Sequence, residues 1–430
     1  MIIVDRALKQ READGQPIRV GFFGAGVMAR GLAAQINRSV PGMMVSAICN
    51  RTLQRAADAY QFSGSSAPIS VTTQNQLDDA IRQHHPAITD DPQLLAGSEE
   101  LDCLVDLTGS VDYGAEVAKL SIARGKHLVL MNAEVDATIG PILHAQARQS
   151  GSILSCADGD QPGVQMNLYR YVKSLGFIPR VLGNIKGLQD ESRNPTTQAE
   201  FARTWKQNLT MVTSFADGSK VNFEQCIVAN ATGFTTAQRG MLRMHHDGHV
   251  DELTTRYDLD ELRRLGGIVD CVIGARPSPG VYCLAELQDH GQARYLELFK
   301  MGCGPLYSFY QPYHLCHLET PLTIARIVLF GDSCGQPVAG PALEVVALAK
   351  RDLRAGETLD SYGQYMTYGQ VERATCVREQ NLIPQGLVEG CLLLTDVPQG
   401  SPLRWQNVKP ASDKLSHQLY AEQIRCFAPD

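Results

Sequence analysis

The stretch IRVGFFGAGVMA, residues 18–29, decides the fold of this 430-residue chain. Ile18–Phe23 is a short apolar run, Gly24 and Gly26 follow at once, and a helical pattern runs from Val27 to Asn37. Between a strand and a helix, Gly24 permits a tight turn and Gly26 lets the backbone approach a diphosphate. The amino end of the helix offers unbonded N–H groups and the positive end of its dipole to the phosphates. The predicted dinucleotide contacts at this turn are Gly24, Gly26, Val27 and Met28.

Strand and helix patterns keep alternating after this turn. Predicted strands cover Met44–Cys49, Asp102–Leu107, His127–Met131 and Ser152–Cys156, and predicted helices cover Tyr113–Arg124 and Ile139–Gln149. Repeated β-α-β units with short loops form a parallel, doubly wound sheet, so the predicted fold class is α/β with an N-terminal Rossmann domain. Ligands bind such sheets beyond the carboxyl ends of the strands. The residues expected there, on the nicotinamide side, are Thr108, Gly109, Asn132 and Glu134.

The end of the second predicted strand indicates which dinucleotide is bound. An NAD-binding domain usually places Asp or Glu near this point, where the carboxylate accepts hydrogen bonds from the ribose hydroxyls. This sequence has Asn50 and Arg51 instead. A guanidinium can hold a 2′-phosphate through charge-assisted hydrogen bonds worth about 1.5–3 kcal/mol. NADP(H) is therefore the predicted cofactor, and the alternative is that Arg51 is an ordinary surface residue.

Length and charge exclude several classes of protein. A chain of 430 residues is too long for one hydrophobic core, so two or three domains are expected. The net charge of −7 argues against a nucleic-acid partner. We see no signal peptide and no run of the roughly 18–20 apolar residues that span a bilayer. We therefore expect a cytoplasmic protein with a small-molecule substrate and no membrane partner.

The middle third carries three polar, glycine-bearing segments that suggest a substrate crevice. They are DGDQPG (residues 158–163), GNIKGLQD (183–190) and SFADGSK (214–220). Hydride transfer involving a carbonyl requires a group that neutralises the developing alkoxide and a group that carries a proton. Lys186 and Lys220 are the candidates because each lies in a glycine-containing turn. The alternative is a surface lysine or one that contacts a substrate phosphate.

Carboxylates in the same third are candidate general bases or ligands of a divalent cation. They are Asp158, Asp160, Asp190 and Glu224, of which Asp160 and Glu224 are taken as catalytic. For Asp158, capping of the following helix is an equal alternative. No Cys-x-x-Cys pair occurs among the twelve cysteines, so no ligand set for a metal is assigned.

The C-terminal third contains an internal repeat. Residues 352–359 and 396–403 share the pattern of Asp, three residues, Gly, two residues and Leu. Each copy follows a strand-like apolar run, Leu343–Ala349 or Cys391–Thr395. A repeated strand–turn–strand unit predicts a small pseudo-twofold β module, and coincidence of two ordinary turns is the alternative. We expect the module to fix assembly or to cover the mouth of the active site.

Several long motifs resemble a bacterial family of Rossmann oxidoreductases with a C-terminal SAF domain, often labelled predicted homoserine dehydrogenases and including enzymes like deoxyxylulose-5-phosphate reductoisomerase. Besides the three middle segments, the motifs are RNPTTQ (193–198), VANATG (228–233), LYSFYQPYHLCHLE (306–319) and AKRDLRAGETLD (349–360). The resemblance implies an NADPH-dependent homodimer whose central domain forms the active site. One branch converts 1-deoxy-D-xylulose 5-phosphate to 2-C-methyl-D-erythritol 4-phosphate and requires a divalent cation, which here would be Mg²⁺ or Mn²⁺.

Motifs and resemblance together predict the order of domains. The predicted segments are an N-terminal arm (1–16), an NADP-binding Rossmann domain (17–157), a central catalytic and dimerisation domain (158–340), an SAF-like β-clip domain (341–410) and a C-terminal tail (411–430). The predicted activity is NADP(H)-dependent oxidoreduction of a small polyhydroxylated or phosphorylated carbonyl or alcohol. The alternatives are a homoserine-dehydrogenase-like or sugar-alcohol or sugar-acid dehydrogenase, and a non-catalytic assembly protein that senses a dinucleotide.

Overall fold

The computed structural model describes residues 4–287 and 289–428. The helices are α1 (Asp5–Ala13), α2 (Val27–Ser39), α3 (Leu53–Ser63), α4 (Gln74–Arg82), α5 (Pro92–Gly97), α6 (Val111–Ala123), α7 (Ala133–Ser150), α8 (Gln161–Ser174), α9 (Pro195–Thr204), α10 (Leu209–Ala216), α11 (Ser219–Thr232), α12 (Leu259–Leu265), α13 (Ala293–Leu298), α14 (Cys316–Phe330), α15 (Ala374–Glu379) and α16 (Leu415–Cys426). The strands are β1 (Ile18–Phe23), β2 (Met43–Cys49), β3 (Ile69–Ser70), β4 (Ala87–Thr89), β5 (Cys103–Asp106), β6 (Leu128–Leu130), β7 (Leu154–Cys156), β8 (Phe177–Lys186), β9 (Met244–His245), β10 (Ile268–Ile273), β11 (Gly280–Leu287), β12 (Leu306–Gln311), β13 (Leu343–Ala349), β14 (Thr367–Arg373), β15 (Leu392–Leu393) and β16 (Val408–Lys409).

The first seven strands form one parallel sheet in the order β3-β4-β2-β1-β5-β6-β7. The apolar run of β1 lies at its centre, and Phe22 is fully buried there. Apolar side chains of α2, including Leu32 and Ile36, pack in the same core. The predicted α/β fold class with a Rossmann-type parallel sheet is confirmed.

The sequence analysis placed the start of one helix of this domain incorrectly and missed two of its strands. Helix α7 begins at Ala133 and not at Ile139, because the Asn132 side chain accepts a hydrogen bond from Val135 N at 3.2 Å and caps the helix. Strands β3 and β4 were not predicted, since runs of two and three residues are too short to show an alternating pattern. Within the described ranges, no helix is both long and apolar enough to cross a membrane.

A second, mixed sheet has five strands in the order β12-β11-β8-β10-β9. Strand β8 is parallel to β10 and antiparallel to β11, so it lies between two neighbours and is almost wholly buried. Helix α11 packs on this sheet, where the Gln225 side chain donates to the backbone oxygens of Leu182 and Asp270. The predicted motif GNIKGLQD thus starts inside a central strand and continues into a loop.

The described chain divides into two compact units. The first comprises residues 4–163, 315–336 and 418–426, and the second comprises 164–314, 337–417 and 427–428. Each predicted domain is one continuous segment of the chain, whereas each of these units combines segments that are separated in the sequence. Helix α14 belongs to the first unit, where Arg326 forms a buried ion pair with Asp158 at 3.1 Å. An ion pair between residues so far apart in the chain cannot be predicted from local sequence patterns.

The predicted arm and tail both contain helices. Leu8 of α1 is buried, while Met1–Ile3 of the arm lie outside the described residues. Within the predicted tail, α16 brings Gln423 against helix α7. Ile142 N donates to Gln423 Oε1 at 3.2 Å, and Gln423 Nε2 donates to Thr138 O at 3.3 Å. Residues 429–430 lie outside the described residues.

The two copies of the C-terminal repeat are joined by reciprocal hydrogen bonds. Asp352 Oδ1 accepts from Gln399 N, and Asp396 Oδ1 accepts from Ala355 N, each at 2.9 Å. Gln399 and Ala355 occupy the same position in their respective copies, three residues after the aspartate. The predicted pseudo-twofold relation therefore has a direct structural basis in this module, residues 341–410.

Candidate active site and cofactor-binding surface

The turn between β1 and α2 is open on its outer side. Gly24 has φ +100°, and a Cβ there would lie 3.1 Å from Leu107 O, so this position requires glycine. Gly26 precedes α2 without a side-chain cap, and a Cβ there would meet nothing within 4 Å. Val27, in the first helical turn, is 37% exposed. An uncapped helix end with free space beside it fits the diphosphate of a dinucleotide.

Asn50 and Arg51 follow β2 at the same edge of the parallel sheet. Asn50 shapes the loop, since its Nδ2 donates to Thr52 O at 2.8 Å and its backbone N donates to Thr89 O at 2.9 Å. Arg51 is exposed and makes no hydrogen bond or ion pair with the part of the chain that the structure describes. Its guanidinium is therefore available to an anion on this surface.

A buried carboxylate that the sequence analysis missed organises the residues that were predicted to lie on the nicotinamide side. Asp106, the last residue of β5, accepts hydrogen bonds from Thr108 Oγ1 (2.6 Å) and Asn132 Nδ2 (3.0 Å). Burial raises the pKa of Asp106, and the bonds from Thr108 and Asn132 oppose that shift. Gly109 follows with φ +66°, and Glu134 is buried in the first turn of α7. The sequence signal was an aspartate two residues before a threonine at a strand end.

In the second unit, four side chains form a continuous chain of hydrogen bonds. Lys186 Nζ lies 3.4 Å from Glu224 Oε2, Asn184 Nδ2 donates to the same oxygen at 3.2 Å, and Gln165 Nε2 donates to Asn184 Oδ1 at 2.9 Å. An ionised carboxylate only accepts, so Glu224 fixes the orientation of both amides. Gln165 Oε1 is buried and has no hydrogen-bond partner among the described residues.

Lys220 is the second residue of α11 and is 6% exposed. Glu224 follows four residues later, so the two side chains share one face of the helix. The structure thus places Lys186 against Glu224, and Lys220 next to Glu224 along α11. Asn184 and Gln165 were missed, although a polar residue inside the otherwise apolar strand β8 was a signal for Asn184.

The other predicted carboxylates have structural partners. Asp158 is fully buried, bound by Arg326 and by Thr323 Oγ1 at 2.9 Å. Asp190 accepts from Ser192 Oγ at 2.6 Å, and this bond and others lower its pKa. Asp160 lies in the first unit, where Cys316 Sγ is 3.8 Å from its Oδ1. The candidates Lys186, Lys220 and Glu224 therefore belong to one unit and Asp160 to the other.

Two family models match most of this architecture. Residues 24–156 match the NAD-binding domain of homoserine dehydrogenase, and residues 159–320 match the catalytic domain of oxidoreductase DRL. These matches confirm the predicted class, an oxidoreductase acting on a CH–OH or carbonyl group, with a pyridine nucleotide as cofactor. Neither match extends into residues 341–410, the segment for which the resemblance implies an SAF domain. No curated protein matches the sequence.

Solved structures show only distant similarity. The 1-deoxy-D-xylulose 5-phosphate reductoisomerase from Zymomonas mobilis, in complex with NADPH, aligns at 17% identity over 49% of this chain and 57% of that chain (TM-score 0.36). A probable dehydrogenase from Thermotoga maritima aligns at 12% identity over 75% and 90% (TM-score 0.39). An NAD-binding oxidoreductase from Klebsiella pneumoniae aligns at 14% identity over 41% and 45% (TM-score 0.30), so the chain spans less than half of its length. Similarity at this level does not assign a reaction.

Proposed function

We propose that this protein is an NADP(H)-dependent oxidoreductase that interconverts a carbonyl and an alcohol on a small polyhydroxylated or phosphorylated compound. The observation that carries the proposal is the group of Lys186, Glu224 and Lys220 in a nearly buried setting. Two lysines beside one carboxylate can stabilise a substrate oxygen atom whose negative charge rises during reduction. The matches of residues 24–156 to an NAD-binding domain and of residues 159–320 to an oxidoreductase catalytic domain support the proposal.

Each residue has a role that follows from its contacts. When bound, the nicotinamide supplies or accepts the hydride. Lys186 and Lys220 stabilise the substrate oxygen, and one of the two ammonium groups donates the proton that completes the alcohol. Glu224 holds Lys186 in place, and Asn184 keeps that carboxylate oriented. Gln165 Oε1, a buried acceptor, suits a hydroxyl of the substrate, because an unpaired buried acceptor costs about 1–3 kcal/mol.

The reductoisomerase reaction is the finer form of this proposal. The resemblance implies that this reaction requires a divalent cation, Mg²⁺ or Mn²⁺, which would polarise the substrate. Asp158, Asp190 and Glu224 already bind residues of their own surroundings, so Asp160 is the remaining candidate carboxylate for such a cation. A dehydrogenase of the homoserine type is the alternative, and the match of residues 24–156 favours it; in this form Lys186 and Lys220 alone would stabilise the substrate oxygen, without a cation.

The test is a steady-state assay of NADPH oxidation with the full-length protein. The substrate panel contains keto-sugar phosphates, sugar acids and aspartate semialdehyde, each with and without EDTA. If the protein turns over a keto-sugar phosphate and EDTA abolishes this activity, the result supports the reductoisomerase form. Turnover that persists in EDTA supports a dehydrogenase. Binding of NADPH and NADH is measured by calorimetry in parallel. If the protein binds neither NADPH nor NADH at millimolar concentration, the proposal is overturned.

The remaining assignments rest on the resemblance. We propose that the enzyme acts in the cytoplasm as a homodimer, that its central domain provides the dimer contacts, and that residues 341–410 form an SAF-like β-clip. The reciprocal bonds of Asp352 and Asp396 support the β-clip, since a pseudo-twofold strand module is what that fold would need. Light scattering of the purified protein tests the dimer, and a monomeric mass at micromolar concentration contradicts it.

A further inference from the structure

The side chain of Lys350 connects three segments of the second unit. Lys350 follows β13 directly, and its side chain is 3% exposed. Its Nζ donates to Asp217 Oδ2, to Arg193 O and to Gln364 O, each at 2.7 Å. An ammonium group has three N–H bonds, so these contacts use all of them. A buried lysine bonded in this way fixes the relative positions of the three segments.

One of those segments leads into the helix that carries the candidate catalytic residues. Asp217 stands two residues before α11 and is 1% exposed. While its Oδ2 accepts from Lys350, its Oδ1 accepts from Ser219 N at 2.8 Å. Ser219 is the first residue of α11, and Lys220 is the second. The carboxylate of Asp217 therefore links Lys350 to the backbone immediately before Lys220.

The rest of α11 is bonded to the same C-terminal module. Ser219 Oγ accepts from Gly369 N at 2.9 Å, and Asn222 Oδ1 accepts from Val371 N at 2.8 Å, both in strand β14. In the last turn of the helix, Asn230 Oδ1 accepts from Leu343 N of β13 at 3.1 Å. These three side chains lie near the two ends of α11, and each accepts a hydrogen bond from a backbone N–H of the C-terminal module.

Lys220 and Glu224 belong to a different stripe of α11. Positions 219, 222 and 230 follow helical spacing on one face, whereas 220 and 224 are four residues apart on another. The contact between Glu224 and Lys186 of β8 shows which way this second stripe faces. Helix α11 thus has one face bonded to the C-terminal module and another that presents the candidate catalytic groups.

We propose that the C-terminal module positions the catalytic face of α11, and that Lys350 is its principal positioning residue. The roles of Lys220 and Glu224 rest on the proposed function, whereas the positioning rests on the hydrogen bonds above. The module thereby contributes to catalysis through α11, a role that requires no contact with the substrate. An error of about 1 Å in the place of such groups can lower the rate about 10²-fold.

The test uses the full-length double variant Lys350→Met/Asp217→Asn. Changing both partners avoids leaving one charge buried without its counterion, which would endanger folding. The first measurement is hydrogen–deuterium exchange of the peptide covering residues 217–224, with residues 177–186 of β8 as internal reference. We expect exchange in 217–224 to rise by about tenfold or more relative to β8. Equal protection of 217–224 in the variant and the wild type overturns the proposal, whether or not a substrate is known.

The second measurement is steady-state kinetics of the folded variant. We expect kcat to fall by about 10²-fold while KM for NADPH and for the carbonyl substrate stays within about twofold. The control is Arg180→Met/Glu286→Gln, which removes the ion pairs of Glu286 with Arg180, 2.7 Å long, and with Arg263, all in the same unit. This control should lower stability and leave kcat unchanged. A Lys350→Met/Asp217→Asn enzyme with wild-type kcat overturns the proposal, whereas a wild type without any turnover counts against the proposed function alone.

Discussion

Lys186 Nζ and Glu224 Oε2 are 3.4 Å apart, although 38 residues separate them in the chain. The lysine ends a central strand and the glutamate stands in the middle of a buried helix, so both are held by rigid elements. Glu224 is 2% exposed, and a carboxylate in such a place needs the positive partner that Lys186 provides. This pair is the natural target for a first test of the chemistry.

Lys186→Met should lower kcat by about 10²–10³-fold with little change in NADPH affinity, because it removes a positive group from the substrate oxygen. Steady-state kinetics and a calorimetric titration with NADPH measure the two quantities. Lys173→Met is the matched control, since Lys173 is an exposed lysine that packs over Tyr169. Equal activity of Lys186→Met and Lys173→Met would remove Lys186 from the mechanism.

Arg51→Ala should weaken NADPH binding by roughly 10- to 100-fold, the equivalent of a lost charge-assisted bond of about 1.5–3 kcal/mol. NADH lacks the 2′-phosphate, so its dissociation constant should stay the same. Arg55 is an exposed arginine in the first turn of α3, and Arg55→Ala serves as control. A similar loss of affinity for both nucleotides would show that Arg51 does not contact the 2′-phosphate.

Local sequence patterns were sufficient to predict an element wherever the residues that determine it lie in one continuous segment. The turn after β1 and the bounds of Ile18–Phe23 and Leu343–Ala349 agree with the prediction because apolar runs and glycines report backbone structure directly. The lysines were chosen because each was predicted to lie in a glycine-containing turn, but Lys186 ends strand β8 and Lys220 is the second residue of α11, so their catalytic role stays a prediction. These signals identified candidate residues but not their partners.

Partners were missed because they lie far away in the chain. Arg326 binds Asp158 across 168 residues, and Lys350 binds Asp217 across 133. Hydrophobic periodicity describes only neighbours within a few turns, so it contains no information about such pairs. Asp158 was therefore taken as a candidate base or cation ligand, whereas its buried partner makes it part of the core of the first unit.

Asp270 should make the stability of the protein depend on pH. Its Oδ2 accepts from Tyr257 Oη at 2.8 Å, and its Oδ1 accepts from the backbone of Leu242 and Arg243, both at 3.0 Å. Burial raises the pKa of Asp270 to about 6, and these bonds oppose the shift. Because the pKa in the folded state is the higher one, the stabilising contribution is complete at low pH and is lost as the pH rises through about 6.

The measurement is urea unfolding of the wild type and of Asp270→Asn at pH 5 and at pH 7.5. The free energy of unfolding of the wild type should fall by about 1–2 kcal/mol relative to the variant over this interval. Asp260→Asn is the control, since the side chain of Asp260 is 88% exposed. Parallel pH profiles for the wild type and Asp270→Asn would contradict the raised pKa.

Gln423→Ala should lower the free energy of unfolding by about 1–3 kcal/mol, because it leaves buried backbone groups without partners. Pro141 has no N–H to donate within α7, and at the next residue Ile142 N donates to Gln423 Oε1. Gln418→Ala is the matched control on α16, since Gln418 is exposed. Urea unfolding compares the three proteins. If both variants unfold at the same urea concentration, Gln423 does not compensate for the interruption at Pro141.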